Sequence, residues 1–210
     1  MIRLVIFDFS GTLGYYDPAE YHEVFKKLRD FNLPVNEGKP AKALADILPE
    51  LFSEAESWED LTNKIIQKLG IVLEKDRRET LAAFLERKLT CKLFDDAENV
   101  ISLPQDKAIL TLSGKFMIDS IPELQHFEVF SPKIAQAKKP DLEAFLAVLE
   151  KMGADPDESV MVGDSLENDI IPARSVGMKA ILIDRENKYP DFKDPSIIKI
   201  ASLKELKRYL

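Results

Sequence analysis

The hydrophobic pattern opens with four unbroken apolar residues, Leu4 to Phe7, that stop at the charged Asp8. A continuous apolar run of strand length fits a strand buried on both faces, as in a parallel sheet. Similar runs follow at "AILTL" from Ala108, "SVMVG" from Ser159 and "KAILID" from Lys179, with a shorter one at "IIKIA" from Ile197. Helical periodicity separates most of them. "DLEAFLAVLEKMG" places Asp141 at the cap or first turn, Leu142, Phe145, Leu146 and Leu149 on an apolar stripe, and Gly153 as the stop. "LENDIIPARSVG" ends at Gly177, and "SLKELKRYL" closes the chain as a helix. Strand alternating with helix predicts right-handed crossovers and a parallel sheet.

Between Asp17 and about Lys92 no strand-like run stands out, and the pattern is helical. "DPAEYHEVFKKLRDF" begins with Asp17 as N-cap, Pro18 in the first turn and Glu20 in capping-box position. "KPAKALADILPELF" reads as a helix interrupted near Pro49, "SWEDLTNKIIQKLG" runs from a Ser57 cap to a Gly70 stop, and "KDRRETLAAFLERKL" is strongly periodic. The expectation is an α/β chain. A doubly wound parallel-sheet core over 1–14 and 94–210 carries a small all-helical domain over 15–93, inserted after the first strand. The sheet resumes around "FDDAENVISLPQDKAIL".

Composition narrows the partners. The 210 residues are 45% hydrophobic, enough for a real core, and net charge is −8. An acidic chain lacks the basic face that nucleic acid needs, so no nucleic-acid partner is expected. An anion site here requires a local cation. The single Cys91 cannot form an internal disulfide, which fits a reducing cytosol. No apolar stretch approaches the ~20 residues that span a bilayer, and the start lacks a signal-like core. A cytoplasmic monomer or homodimer is expected, with no membrane partner.

In an open parallel sheet, ligands bind beyond the carboxyl ends of the strands, where strand order reverses. The first strand ends in "DFSGT", the second in Thr111 and then Ser113, the next in "GDSLEND"; "QAKKPD" brings Lys138 and Lys139 ahead of a helix. These types suit phosphoryl transfer. A carboxylate can attack phosphorus, clustered carboxylates call for a divalent cation such as magnesium, and a hydroxyl and an ammonium can hold phosphoryl oxygens. Thr111 and Ser113 compete for the hydroxyl role, as do Lys138 and Lys139 for the ammonium. His22 and His126 read as ordinary helix residues. Tyr15 and Tyr16 read as hinge or core.

The constellation resembles the haloacid dehalogenase (HAD) superfamily of hydrolases over nearly the whole chain. "GDSLENDIIPARSVGM" is its most specific stretch. The resemblance implies a Rossmann-like core with a C1-type helical cap that closes over a small phosphorylated substrate. It implies that Asp8 is the nucleophile and a magnesium ligand, that Thr111 and Lys139 bind phosphate, and that Asp164 and Asp169 complete the metal site. Leu112 departs from the asparagine that often follows the Thr111 position. The largest departure is Ser10, which stands where the general acid/base aspartate is usual, although its backbone carbonyl can still reach the metal. Three readings follow from Ser10. One is a magnesium-dependent phosphatase with a weakened acid, acting on small phosphomonoesters through an aspartyl phosphate. Another is a dehalogenase or phosphonatase, whose branches also lack that aspartate; a phosphonatase would want a cap lysine, and neither Lys64 nor Lys68 is singled out. The third is a non-catalytic phosphate binder or phosphoacceptor.

Overall fold

The computed structural model describes residues 1–28, 48 and 50–210. Most of "KPAKALADILPELF" therefore lies outside the described residues; Glu50–Glu54 within and beyond it are helical. The chain divides into two compact units, one of residues 1–15, 93–111 and 122–210, the other of residues 16–92 and 112–121.

The first unit is built on a six-stranded sheet. β1 is Leu4–Phe7, β2 Gly14–Tyr15, β3 Lys92–Leu93, β4 Asp106–Leu110, β5 Glu128–Phe130, β6 Ser159–Gly163, β7 Lys179–Ile183 and β8 Ile198–Ile200. The order is β5-β4-β1-β6-β7-β8, and every neighbouring pair is parallel. β2 and β3 form a separate two-stranded ribbon. β1 is central: Val5 lies between Lys107 and Val160, and Phe7 between Ile109 and Val162. All four of its side chains are buried. Leu4 and Ile6 join Leu110, Phe130, Phe145, Val148 and Met161 in one apolar layer. Phe7 meets Phe127 at 6.0 Å between ring centroids. Burying a side chain of this kind contributes about 1.5–3 kcal/mol.

The helix Leu142–Met152 lies at the expected place, with Asp141 as N-cap and Gly153 as a left-handed C-cap at φ 59°. Its buried face is shifted from expectation. Ala144, Phe145, Val148 and Leu149 are buried, whereas Leu142 and Leu146 are 39% and 49% exposed. Ala144 and Val148 join the core cluster in place of Leu142 and Leu146. The closing helix is also corrected. Leu203–Arg208 winds as a tight 3-10 helix from a full Ser202–Glu205 capping box.

The second unit is helical, with Pro18–Leu28, Trp58–Lys68 and Lys75–Leu89 as its principal helices. The Ser57 hydroxyl caps the second, accepting from the Asp60 N–H at 3.0 Å. Glu20 does not complete a capping box. Its carboxylate and that of Glu23 take the Lys88 ammonium at 2.5 and 2.7 Å. Leu61 and Ile65 pack with Leu81 and Leu85, each pair one helical turn apart. Met117 belongs to this cluster, Phe116 packs on it, and Trp58 meets Phe116 edge-on at 5.0 Å. Those two apolar residues are why 112–121 groups with the helices rather than with 94–210, where the sequence placed it. Among the described residues no helix is long and apolar enough to cross a membrane.

Candidate functional site

The carboxyl ends of the central strands deliver the site. Asp8 follows β1, and its N–H bonds the Val162 carbonyl of β6 at 2.9 Å. Thr111 follows β4, buried, its N–H on the Phe130 carbonyl at 3.0 Å. Asp164 follows β6. Lys139 lies between β5 and the helix Leu142–Met152, joined to Pro140 by a cis peptide bond.

Asp169 arrives by a different device. The Ser165 carbonyl accepts from both the Asp169 and the Ile170 N–H, so residues 166–170 wind as one wide turn. Such wide turns recur at functional sites. The Ser165 hydroxyl caps the turn at the Asn168 N–H, and the Asp169 carboxylate accepts the Ser165 N–H at 3.1 Å. Gly163 makes room: a Cβ there would lie 2.4 Å from the Asp169 side chain. Gly163→Ala is therefore expected to push Asp169 out of place and cost about 1–3 kcal/mol. Thermal melting checks this; a variant that melts with wild type would refute it.

The result is a buried ionic cluster. The Lys139 ammonium donates to Asp8 Oδ1 at 2.5 Å and to Asp169 Oδ1 at 2.7 Å. Carboxylate oxygens of Asp8, Asp164 and Asp169 lie within 4.8 Å of one another. Burial pushes Asp169 upward, to about 7; Lys139 opposes that shift and Asp8 adds to it. Burial also raises Asp164, with Asp8 contributing and Lys188, at 3.3 Å, opposing. Burial opposes the charge on Lys139, but Asp8 and Asp169 outweigh it and hold its pKa above the usual lysine value.

Three carboxylates meet two ammoniums, Lys139 on Asp8 and Asp169 and Lys188 on Asp164, and one oxygen is still left over. Asp8 Oδ2 is buried without a hydrogen-bond partner. An unpartnered buried carboxylate oxygen is costly unless something binds there. Oxygen donors in this number, with charge to neutralise, fit magnesium. Gly11, at φ +90°, holds the loop against the same group: a Cβ would sit 2.5 Å from Asp164 Oδ2. A cavity of about 180 Å³ opens beside Gly11, Asp164, Arg185 and Lys188.

The remaining sequence candidates separate. Ser10 is exposed and bridges to Gly14, and its side chain brings no carboxyl group. Ser113 belongs to the helical unit, where its hydroxyl and that of Tyr16 are 2.8 Å apart. Lys138 is exposed and Lys139 buried, which separates the two rivals. His22 and His126 are exposed. Tyr15 packs on Phe94 at 5.0 Å, and Tyr16 stacks with Phe52 at 6.3 Å.

Sequence reasoning missed Arg185. Its guanidinium bonds the carbonyls of Gly11 and Thr12 and forms two bonds to Asp96. The available signal was its position, directly after the run of β7 and its Asp184.

A family model described as haloacid dehalogenase-like hydrolase matches residues 2–177. A haloacid dehalogenase-like hydrolase domain-containing protein of Arabidopsis thaliana is 34% identical over 97% of this chain and 84% of its own. A glyceraldehyde 3-phosphate phosphatase of Methanothermobacter thermautotrophicus is 25% identical over 89% of this chain and 87% of its own. Among solved structures, a phosphatase of Thermococcus onnurineus has a TM-score of 0.70 at 25% identity, covering 99% of this chain and 97% of its own. A 2-haloacid dehalogenase of Pseudomonas syringae has a TM-score of 0.69 at 21% identity over the same shares, a likeness of fold alone.

Proposed function

This chain belongs to the haloacid dehalogenase-like hydrolase family, and from that premise we propose that it is a magnesium-dependent phosphatase of small phosphomonoesters. The observation that carries the reading is the unpartnered, buried Asp8 Oδ2 beside Asp164, Asp169 and Lys139. A haloacid dehalogenase of the same fold needs one attacking carboxylate; three carboxylates within 4.8 Å call for a metal. The relatives named as phosphatases, acting on glyceraldehyde 3-phosphate in one case and as a putative pyrophosphatase in another, support the same direction.

In this reading Asp8, the Ser10 carbonyl, Asp164 and Asp169 would hold magnesium, which would neutralise the carboxylates and supply charge stabilisation to the phosphoryl oxygens. Asp8 attacks phosphorus. A bond forms from its carboxylate oxygen to phosphorus, and the bond from phosphorus to the substrate oxygen breaks with its electron pair. Thr111 and Lys139 orient the phosphoryl group and stabilise the charge on its oxygens. The departing oxygen takes a proton from water or from the substrate's own acid, because the Ser10 hydroxyl is too weak an acid to supply one. Water then attacks the aspartyl phosphate at phosphorus, releasing phosphate and restoring Asp8.

General acid help is worth about 10²–10⁴-fold when the leaving group is a poor one. The enzyme should therefore favour aryl and acyl phosphates over alkyl phosphates. The test is hydrolysis of p-nitrophenyl phosphate and glycerol phosphate with and without magnesium, in wild type and Ser10→Asp. Wild type is expected to need magnesium and to prefer the aryl ester. The variant is expected to gain about 10-fold or more on the alkyl ester and little on the aryl ester. Equal gains on both would refute the missing-acid account. Metal-independent halide release from a 2-haloacid would refute the phosphatase reading itself.

A further inference from the structure

The loop that follows Asp8 satisfies its own N–H groups. Those of Thr12, Leu13 and Gly14 all point to the Phe9 carbonyl, at 3.2, 2.9 and 2.9 Å, and that of Gly11 to the Gly14 carbonyl at 2.8 Å. The carbonyls of Gly11 and Thr12 face the other way, toward Arg185. Its Nε donates to the Gly11 carbonyl at 3.3 Å and its Nη2 to the Thr12 carbonyl at 2.7 Å. The far side of the guanidinium makes a two-pronged bond to Asp96, 2.8 Å on each prong. The Phe94 ring lies against its face at 4.0 Å. Asp96 is fixed in turn. Its Oδ2 accepts from the Ser202 hydroxyl at 2.6 Å and from the Leu203 N–H at 2.9 Å. Burial alone would raise the Asp96 pKa, but Arg185, Ser202 and Leu203 together hold it below the usual carboxylate range.

This is more anchoring than a surface loop requires. A planar guanidinium with both ends and one face engaged has no freedom to turn. The loop it grips runs directly from Asp8, carries the Ser10 carbonyl, and presses Gly11 against Asp164. We propose that Arg185 is a positioning residue that sets the separation between the Ser10 carbonyl and the three carboxylates, with Asp96 as its anchor. The proposal rests on the phosphatase reading and deepens it. Arg185 acts through the loop, since its guanidinium hydrogen bonds go to the Gly11 and Thr12 carbonyls and to Asp96. Outer contacts of this kind typically tune metal affinity by about 10–100-fold. A displacement of about 1 Å at reacting groups can cost about 100-fold in rate.

The test compares Arg185→Lys and Asp96→Asn with wild type. Lysine keeps the charge but cannot span Gly11, Thr12 and Asp96 at once. Magnesium affinity is read by calorimetry, the kcat and KM of p-nitrophenyl phosphate hydrolysis are measured at saturating magnesium, and amide exchange follows residues 11–14. Both variants are expected to bind magnesium about 10-fold or more weakly. Their kcat should fall by about 100-fold while KM stays within about twofold, because Thr111 and Lys139 are untouched. Amides of Thr12, Leu13 and Gly14 should exchange faster, while those of β1 and β6 stay protected. Variants that melt earlier yet keep wild-type magnesium affinity and kcat would overturn the proposal and leave Arg185 a brace for stability only. Should Arg185→Lys fail to fold, Asp96→Asn decides by the same readouts. Should wild type itself lack turnover, the phosphatase reading fails, and calorimetry with amide exchange still decides whether the clamp controls the metal site.

Discussion

Asp8→Asn is expected to reduce magnesium-dependent phosphate release by about 10⁴-fold or more. An amide has no carboxylate oxygen to form the bond to phosphorus, and neither neighbouring acid can take over. Asp169 is tied to Lys139 and to the Ser165 N–H, and Asp164 projects from the end of a different strand. The fold should survive, since Lys139 keeps Asp169 as a partner and the repulsion between Asp8 and Asp169 is removed. Rates on p-nitrophenyl phosphate and a melting curve provide the two measurements. Borohydride reduction during wild-type turnover adds a third, since it should convert an aspartyl phosphate at position 8 to homoserine. A variant with more than about a tenth of wild-type activity, or homoserine at another position, would contradict Asp8 as the nucleophile.

Lys139→Met is expected to damage both stability and catalysis. The lysine side chain is 2% exposed, and its partners Asp8 and Asp169 are 10% and 1% exposed. Removing the cation that Asp8 and Asp169 share leaves two buried carboxylates facing each other, which costs about 3–5 kcal/mol. Turnover should fall by about 10²–10³-fold as the phosphoryl oxygens lose their ammonium. The penalty has a definite pH dependence in metal-free protein. The folded-state pKa of Asp169 is raised from 3.8 to about 7. The folded state therefore holds more protons than the unfolded one in that window, and stability falls as pH rises through it. Without Lys139 the raised pKa moves higher, so the variant keeps losing stability above pH 7 where wild type has levelled off. Lys139's own raised pKa contributes stability that persists through neutral pH and is lost only in strong alkali. Urea unfolding in EDTA at pH 6 and pH 8 should show the larger penalty at pH 8. A larger penalty at pH 6, or a total below about 1 kcal/mol, would contradict the argument.

Much of the core was legible because β1, β6 and β7 are buried on both faces and so read as unbroken apolar runs. Asp8, Thr111 and Asp164 were legible for the same reason: each stands directly after such a run. Other features left no comparable trace. β5 has three residues, too few to establish a period. The helix Leu142–Met152 was recognised, but its stripe was displaced, because the small Ala144 is buried while the larger Leu142 and Leu146 are exposed. Lys138 and Lys139 are alike in residue type; the family resemblance favours Lys139, and burial distinguishes the two in the structure. The Arg185–Asp96 pair joins residues 89 apart, and no local pattern links two segments so distant in sequence. The affiliation of 112–121 with the helical unit depends on Phe116 and Met117, which in sequence follow a strand and look like part of the core.

The central place of β1 also bears on how the chain can be made. β1 is synthesised before both of its partners, Asp106–Leu110 on one side and Ser159–Gly163 on the other. At about 5–20 residues per second, roughly 8–30 s of translation separate β1 from its second partner. During that interval its apolar residues have no native neighbours on one edge or on both. Folding of the sheet therefore cannot proceed from the first residue onward. It waits on contacts distant in sequence, which makes it slow and exposes LVIF to misassociation. A chain arrested before residue 159 would lack Asp164 and Asp169, and β1 would keep an open edge where β6 belongs.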